Sequence, residues 1–393
     1  MKILCAGFIY DDKEVNALIQ ASKDFWLVGG RRVSQFEKDL AKYLGRKYCV
    51  LCNSGSSANL LAVSSLTSKL LGNERFKKGQ EVITTASSFP TTVNPIIQNG
   101  LIPVFIDVGI DDYNIDVNKI ADAVTNKTVG IMIAHTLGNP AKLKELMELV
   151  NFYDLWYIED NCDSLGSKYQ GKFTGTFGQV STLSFYPAHH ITIGEGGAVL
   201  TDNEKIYKAV LSFRDWGRDC WCLPGHDNTC GHRFAQSHGK LPPFYDHKYT
   251  YSHLGYNLKS NDLQASIGIE QLKKLDGFIW KRRFNYQYLY NNLVKRKDFR
   301  LLKPQKNSQP SWFGFPILAK NRTYWIDRLE GKGIATRMLF GGNLTKQPAY
   351  QGVKYRVSGE LKNTDRLMNE LFWIGVYPGI GKEQLDYMLE AFK

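Results

Sequence analysis

The chain has no apolar stretch approaching the roughly 20 residues needed to cross a bilayer, which argues against a membrane-spanning protein. Its first residues, Met1-Lys2-Ile3-Leu4-Cys5-Ala6-Gly7, run quickly into Asp11-Asp12-Lys13-Glu14, leaving no usable core for a secretory signal. Seven cysteines in 393 residues are too sparse for a disulfide framework, so a reducing, cytoplasmic setting is expected. Long basic runs are missing too. The net charge is +12, yet its densest runs, Lys281-Arg282-Arg283 and Lys77-Lys78, are short and read as solvated helix faces. Nucleic-acid binding is therefore not expected. A basic surface would still steer small anionic substrates or an acidic protein partner. No internal repeat or low-complexity tract is present.

What is present describes a folded α/β protein. Hydrophobic residues make up 43%, and the length supports a large core with a smaller appended unit. The 21 Tyr, 21 Phe and 8 Trp suit core packing and oligomer interfaces. Helical spacing predicts helices at 12–23, 33–44, 58–71, 141–151, 263–275 and 280–293. Short apolar runs predict strands at 81–85, 103–107, 130–134, 155–160 and 180–185. Their alternation with helices argues for a mostly parallel sheet, whose ligands gather at strand carboxyl ends. Asp160 and Ser184 fall at such ends. The Trp26-Leu27-Val28-Gly29-Gly30 loop has backbone freedom for close approach to a ligand.

Several segments carry chemistry. Ser54-Gly55-Ser56-Ser57, at a strand-to-helix turn, fits either an anion cradle or an ordinary helix cap. Asp160 ends an apolar run and needs a partner: a salt bridge, a helix cap or a protonated heteroaromatic nitrogen. Phe89 can stack on such a ring or pack in the core. The run Arg214 to Leu254 is long, aperiodic and aromatic, and holds three of four cysteines of interest. Cys162, Cys220, Cys222 and Cys230 are separated by 57, 1 and 7 residues. Four thiols suit zinc or an iron–sulfur centre; buried free cysteines are the plainer alternative. Cys5, Cys49 and Cys52 read as packing residues.

Taken together, these segments resemble the sugar aminotransferase family of vitamin B6 enzymes. The resemblance runs from about Trp26 to the C-terminal region. It implies the aspartate-aminotransferase fold: a mostly parallel seven-stranded sheet in residues 1–285, and a smaller α/β domain in 286–393. It also implies that Asp160, in Ile158-Glu159-Asp160, pairs with the cofactor's pyridine nitrogen. Ser56, Ser57 and Ser184 would hold its phosphate, and Phe89 its ring face. Asn257, in Leu254-Gly255-Tyr256-Asn257-Leu258, would reach the neighbouring subunit's phosphate in a homodimer.

The family's cofactor-tethering lysine is replaced by His189, in Ser184-Phe185-Tyr186-Pro187-Ala188-His189-His190. Imidazole cannot tether the cofactor, but it can exchange a proton near neutral pH. This replacement resembles the 3-dehydratases of 4-keto-6-deoxy sugar nucleotides, as does Thr336-Arg337 with Gly341-Gly342-Asn343-Leu344-Thr345. The implied cofactor is non-covalent pyridoxamine 5′-phosphate, with His189 as base. Gly29, His190, Arg337 and Asn343 are the candidate substrate contacts.

Within the subgroup, the cysteine spacing and Pro224-Gly225-His226-Asp227-Asn228-Thr229-Cys230-Gly231 resemble the cluster-bearing kind. That implies a [2Fe-2S] cluster, a CDP-linked 4-keto-6-deoxy sugar and an NADH-dependent flavin/iron–sulfur reductase as electron donor. A cluster-free dehydratase of GDP-4-keto-6-deoxy-D-mannose is the nearest enzyme alternative. A zinc-containing assembly protein is the non-enzyme one.

Overall fold

The computed structural model describes residues 1–222 and 225–393, so Pro224 of the loop motif lies outside the described residues. Its eight-stranded sheet runs Tyr48–Cys52, Gly197–Thr201, Val180–Ser184, Trp156–Asp160, Thr128–Ala134, Glu81–Thr85, Ile102–Ile106 and Arg356–Val357. Gly197–Thr201 pairs antiparallel with both neighbours, and every other pairing is parallel. Seven strands match the expected number. The eighth is the two-residue edge strand Arg356–Val357, contributed by the C-terminal region. The five predicted strands appear within two residues of their expected bounds, because buried parallel strands are continuous apolar runs.

Helices cover both faces. Asp12–Asp24 starts with a capping box between Asp11 and Glu14. Arg31–Leu44 buries Phe36, Leu40 and Leu44 and stops at Gly45, whose φ of 73° is left-handed. Gly55–Leu66 stops earlier than the sequence predicts. Beyond it, the Thr67 hydroxyl donates to the Ser64 carbonyl and Ser68 caps a separate 3-10 segment, Lys69–Glu74. Such hydroxyls compete with the helix for backbone partners.

The two helices expected at 263–275 and 280–293 are one, Asp262–Leu293. Asp276-Gly277 does not break it. Leu275, Ile279, Arg282, Tyr286, Leu289 and Leu293 form one buried stripe at helical spacing, and tertiary packing overrides the glycine's weak propensity. Residue 285, the expected domain boundary, falls inside this helix.

After it comes a four-stranded antiparallel sheet, ordered Arg300–Leu301, Gly314–Leu318, Leu371–Gly375, Thr336–Met338. Its core takes in Ile3 and Cys5 from the opposite end of the chain. Ile3 N–H donates to the Gly333 carbonyl, and Ala335 N–H to that of Ile3. This clamp brings residues 4–9 over the carboxyl edge of the large sheet. Among the described residues, no helix is long and apolar enough to cross a membrane.

Glu159 anchors the middle of the large sheet. Fully buried, it accepts from His135 Nε2 at 2.9 Å and from the N–H groups of Gly175, Phe177 and Gly178 at 2.6, 3.0 and 3.1 Å. Burial alone raises its pKa, but His135 and these donors more than offset that and hold it below the usual carboxylate range. Glu159→Ala leaves four donors unpaired, and guanidinium unfolding is expected to show a loss of about 3 kcal/mol. The advantage of wild type over Glu159→Gln should be full above the ordinary value of 4.5 and fade as pH falls through the lowered one. A difference that does not change with pH would contradict a charged Glu159.

Candidate active site

A cavity of about 1250 Å³ opens where the parallel strands end. Asp160, 4% exposed, projects there from the strand opposite to Glu159. Its Oδ2 accepts from Asn59 Nδ2 at 2.8 Å and Thr92 Oγ1 at 2.7 Å, and its Oδ1 from Cys162 N–H at 3.2 Å. Asn59 is itself fixed by Thr182, whose hydroxyl donates to Asn59 Oδ1 at 2.6 Å. The carboxylate is thus locked and still borders the cavity.

Close backbone packing builds the next wall. A Cβ on Gly55 would lie 2.4 Å from Ser184 Cβ, and one on Gly197 would lie 2.3 Å from the Ser54 carbonyl oxygen. Glycine lets the N-terminus of helix Gly55–Leu66 meet the end of strand Val180–Ser184. Ser54, Ser56, Thr91 and Ser184 then line one side of the cavity. Ser56 Oγ donates to Thr91 Oγ1 at 3.2 Å. Ser57 is placed differently from the expectation. Its N–H donates to Ser54 Oγ at 3.0 Å, its own hydroxyl accepts from that oxygen, and it is not among the lining residues.

Phe89 does line the cavity, half exposed, with its ring 6.0 Å from Phe340 in edge contact. Arg337 reaches the same space from strand Thr336–Met338. Asn343 does not. Its Nδ2 donates to Asp365 at 2.7 Å, and its Oδ1 accepts from Thr345 N–H and hydroxyl, so the side chain caps a turn. Gly29 lies outside the lining, packed near the Ser260 carbonyl. Asn257 is exposed and accepts from Lys259 Nζ at 2.7 Å, away from this chain's own cavity.

His189 lines the cavity beside Phe313, ring centroids 5.2 Å apart. Burial, reinforced by the Arg282 charge, pulls its pKa down to about 3, so the ring is neutral. His190 turns away: its Nε2 contacts the Ser311 carbonyl at 2.8 Å, and it borders a smaller separate cavity. It is a packing residue, not a lining residue of the main site. Asp163, three residues past Asp160, also lines the cavity, its pKa pushed well up by burial and the Asp160 charge.

The four cysteines divide between two places. Cys162 lines the large cavity. Cys220, Cys222 and Cys230 line a small one with Asp227, Asn228, Arg233, His247 and Lys248. Burial raises the Cys220 thiol. At Cys222, burial also raises, but bonds to the Thr229 hydroxyl and backbone prevail and lower it. A two-iron cluster of the all-cysteine kind needs four thiolates. The donor chemistry suits it, yet the described geometry gathers three and leaves Cys162 in the other cavity. Among the described residues, Asp219, His238 and His247 form the one trio with ligating atoms all within 4.8 Å of one another.

This site sits in a chain whose residues 9–393 match the model of the DegT/DnrJ/EryC1/StrS aminotransferase family. The chain belongs to that family. It is 53% identical to the lipopolysaccharide biosynthesis protein RfbH of Salmonella typhimurium, covering 99% of this chain and 90% of that one. It is 48% identical to the dTDP-4-dehydro-2,6-dideoxy-D-glucose 3-dehydratase of Saccharopolyspora spinosa, over 98% of this chain and 85% of that one. Among solved structures, the E. coli GDP-4-keto-6-deoxy-D-mannose-3-dehydratase with bound hydrated PLP matches at a TM-score of 0.89 and 31% identity, covering 100% of each chain. The family member's fold is the aminotransferase fold expected from the sequence.

The sequence did not single out Asn59, Thr92, Asp163 or the segment 4–9. It read Arg282 as part of a solvated helix face, whereas the structure buries that side chain between the long helix and the carbonyls of His189, Trp312 and Phe313. Asn59 and Thr92 look like ordinary helix residues, and only the fold aims them at Asp160. For His189 the burial carries a measurable consequence. Its imidazole signal in nuclear magnetic resonance should show no titration between about pH 5 and 8. A midpoint near the ordinary 6.5 would show a solvated ring.

Proposed function

We propose that the chain is a sugar-nucleotide 3-dehydratase that uses pyridoxamine 5′-phosphate bound without a covalent link. The observation that carries this reading is His189: a neutral imidazole bordering the cavity that Asp160, Ser56, Ser184 and Phe89 also line. The named relatives and the PLP-bound neighbour support the same reaction class. Asp160, fixed by three donors and open to the cavity, suits the protonated pyridine nitrogen. Ser56, Ser184 and the N-terminus of helix Gly55–Leu66 suit the phosphate, since unpaired N–H groups there favour an anion. Phe89 would cover one ring face. When bound, the cofactor supplies an amine for a sugar ketone and a ring that accepts an electron pair.

The chain's own residues do the rest. A neutral His189 accepts a proton at the reacting carbon, which a tethering lysine would otherwise do. Asp160 would keep the cofactor's ring nitrogen protonated, which suits the ring to hold the electron pair released when His189 takes the proton. Arg337 offers a guanidinium to the substrate diphosphate. Phe313, Phe340 and Trp373 present apolar surface that excludes water. In this reading residues 1–285 hold the cofactor, residues 286–393 close over the sugar, and Asn257 serves a second copy's site.

The substrate we favour is a CDP-linked 4-keto-6-deoxy sugar, with reductive loss of the C3 oxygen. Replacing C–OH by C–H needs two electrons and two protons, with water released. A [2Fe-2S] cluster on Cys162, Cys220, Cys222 and Cys230, fed by an NADH-dependent flavin/iron–sulfur reductase, would supply the electrons. Spacing supports this, as does the gathering of three thiols. That Cys162 lines the large cavity and the other three thiols the small one favours a second reading without a metal centre, as the GDP-4-keto-6-deoxy-D-mannose 3-dehydratase name of a 33% identical Yersinia pseudotuberculosis relative suggests. The two electrons would then come from the cofactor's amine-bearing carbon, with ammonia released and an amine donor needed to restore it.

Anaerobic assays with CDP-, dTDP- and GDP-linked 4-keto-6-deoxy sugars, with and without reductase, separate the two. His189→Asn is expected to retain the cofactor's absorbance and lose at least about 100-fold in turnover; full turnover would exclude it as the base. Protein reconstituted with iron and sulfide should carry visible iron–sulfur absorption that Cys222→Ser abolishes. An unchanged spectrum in that variant would remove Cys222 from the ligand set, and turnover independent of reductant would favour the second reading.

A further inference from the structure

Asp163 and His189 border the same cavity, and a carboxyl oxygen of the first faces a ring nitrogen of the second. Asp163 is almost buried. His189 Nδ1 is buried without a hydrogen-bond partner of good geometry, and the ring's other polar neighbour is the Cys162 backbone, which opposes burial and the Arg282 charge in setting its protonation. Nδ1 and Asp163 Oδ1 are 3.7 Å apart. Arg282 is engaged elsewhere: it donates to the carbonyls of His189 at 3.1 Å, Trp312 at 3.1 Å and Phe313 at 3.4 Å. It thereby fixes the backbone under the imidazole and leaves the ring's orientation to another group.

We propose that Asp163 is the positioning residue for His189, accepting a hydrogen bond from Nδ1–H so that the Nε2 lone pair is the one presented to the cavity. The role in turnover rests on the dehydratase reading, while the contact itself does not. A separation of 3.7 Å is longer than a hydrogen bond. Catalytic hydrogen bonds are commonly long before substrate binds and tighten in the reacting complex. The tautomer decides whether the base works. With hydrogen on Nδ1, Nε2 can take a proton; with hydrogen on Nε2, it cannot.

The test uses the full chain loaded with pyridoxamine 5′-phosphate and labelled with 15N-histidine, the His189 signals being those lost in His189→Asn. Wild type is expected to show the Nδ1–H tautomer, and Asp163→Ala to move toward Nε2–H, the form free histidine prefers. Turnover of Asp163→Ala should fall about 100-fold, with cofactor retained and the sugar-nucleotide KM within about twofold. Asp163→Glu, which keeps the acceptor, should recover part of the loss. An Nε2–H signal in wild type, or an unaltered tautomer in a folded Asp163→Ala, overturns the proposal. An Nδ1–H signal in a protein that turns over none of the nucleotide sugars would sustain the contact and count against the dehydratase reading instead.

Discussion

Asp160 is the constraint around which the site is organised. A carboxylate at the end of a buried strand is costly unless donors surround it. Its donors come from three segments: Asn59 on helix Gly55–Leu66, Thr92 on helix Pro90–Gln98, and the N–H of Cys162 in the following loop. Asn59 is tied onward to Thr182, on the strand that ends in Ser184. Satisfying one charge therefore fixes two helices and two strands relative to one another. Such networks couple their members, so loss of one donor is felt at the others.

The rigid part of the cavity stands in contrast to the cysteine-bearing loop. Gly55 against Ser184 and Gly197 against Ser54 are backbone approaches that no larger residue permits, and Glu159 secures the strand from the sheet's other face. The 215–254 segment, in its described residues, is held by polar pairs of its own, Asp219 with His247 and Arg233 with Asp246, and by His253, whose ring contacts Ser68 and Ser212. Trp221, Phe234, Phe244 and Tyr249 are exposed along it. The sheet edge thus holds its groups in fixed places, and the thiols of the loop are free of that constraint.

How much of this was legible in the sequence follows from range. Buried strands announce themselves as apolar runs, and the acid or serine that ends each one is a local signal; hence Asp160, Ser184 and the strand bounds. Residue 189 was readable because a histidine stands where a resemblance led one to expect lysine. His190 was not, because one step along the chain turns a side chain from the cavity to the Ser311 carbonyl. Ser57 and Asn343 match motifs but are used up in caps. Gly277 reads as a helix break until the continuous buried stripe on either side of it is seen. Segment 4–9 is delivered by a pairing between residues 3 and 333–335, a contact with no local trace.

Arg282 shows how the long helix serves the chemistry. Wholly buried, its guanidinium has its pKa lowered to about 10 by burial, with Asp163 opposing, and so stays charged at neutral pH. It is stabilised by carbonyls of residues 189, 312 and 313, one from the loop that carries the imidazole and two from the approach to strand Gly314–Leu318. The helix that bears it crosses from the large sheet to the small one. A cation placed there disfavours a second positive charge on His189 and keeps the ring a proton acceptor. It also joins the loop with His189 to the segment that leads into strand Gly314–Leu318. Continuity of the helix through Gly277 is what allows one residue to do both.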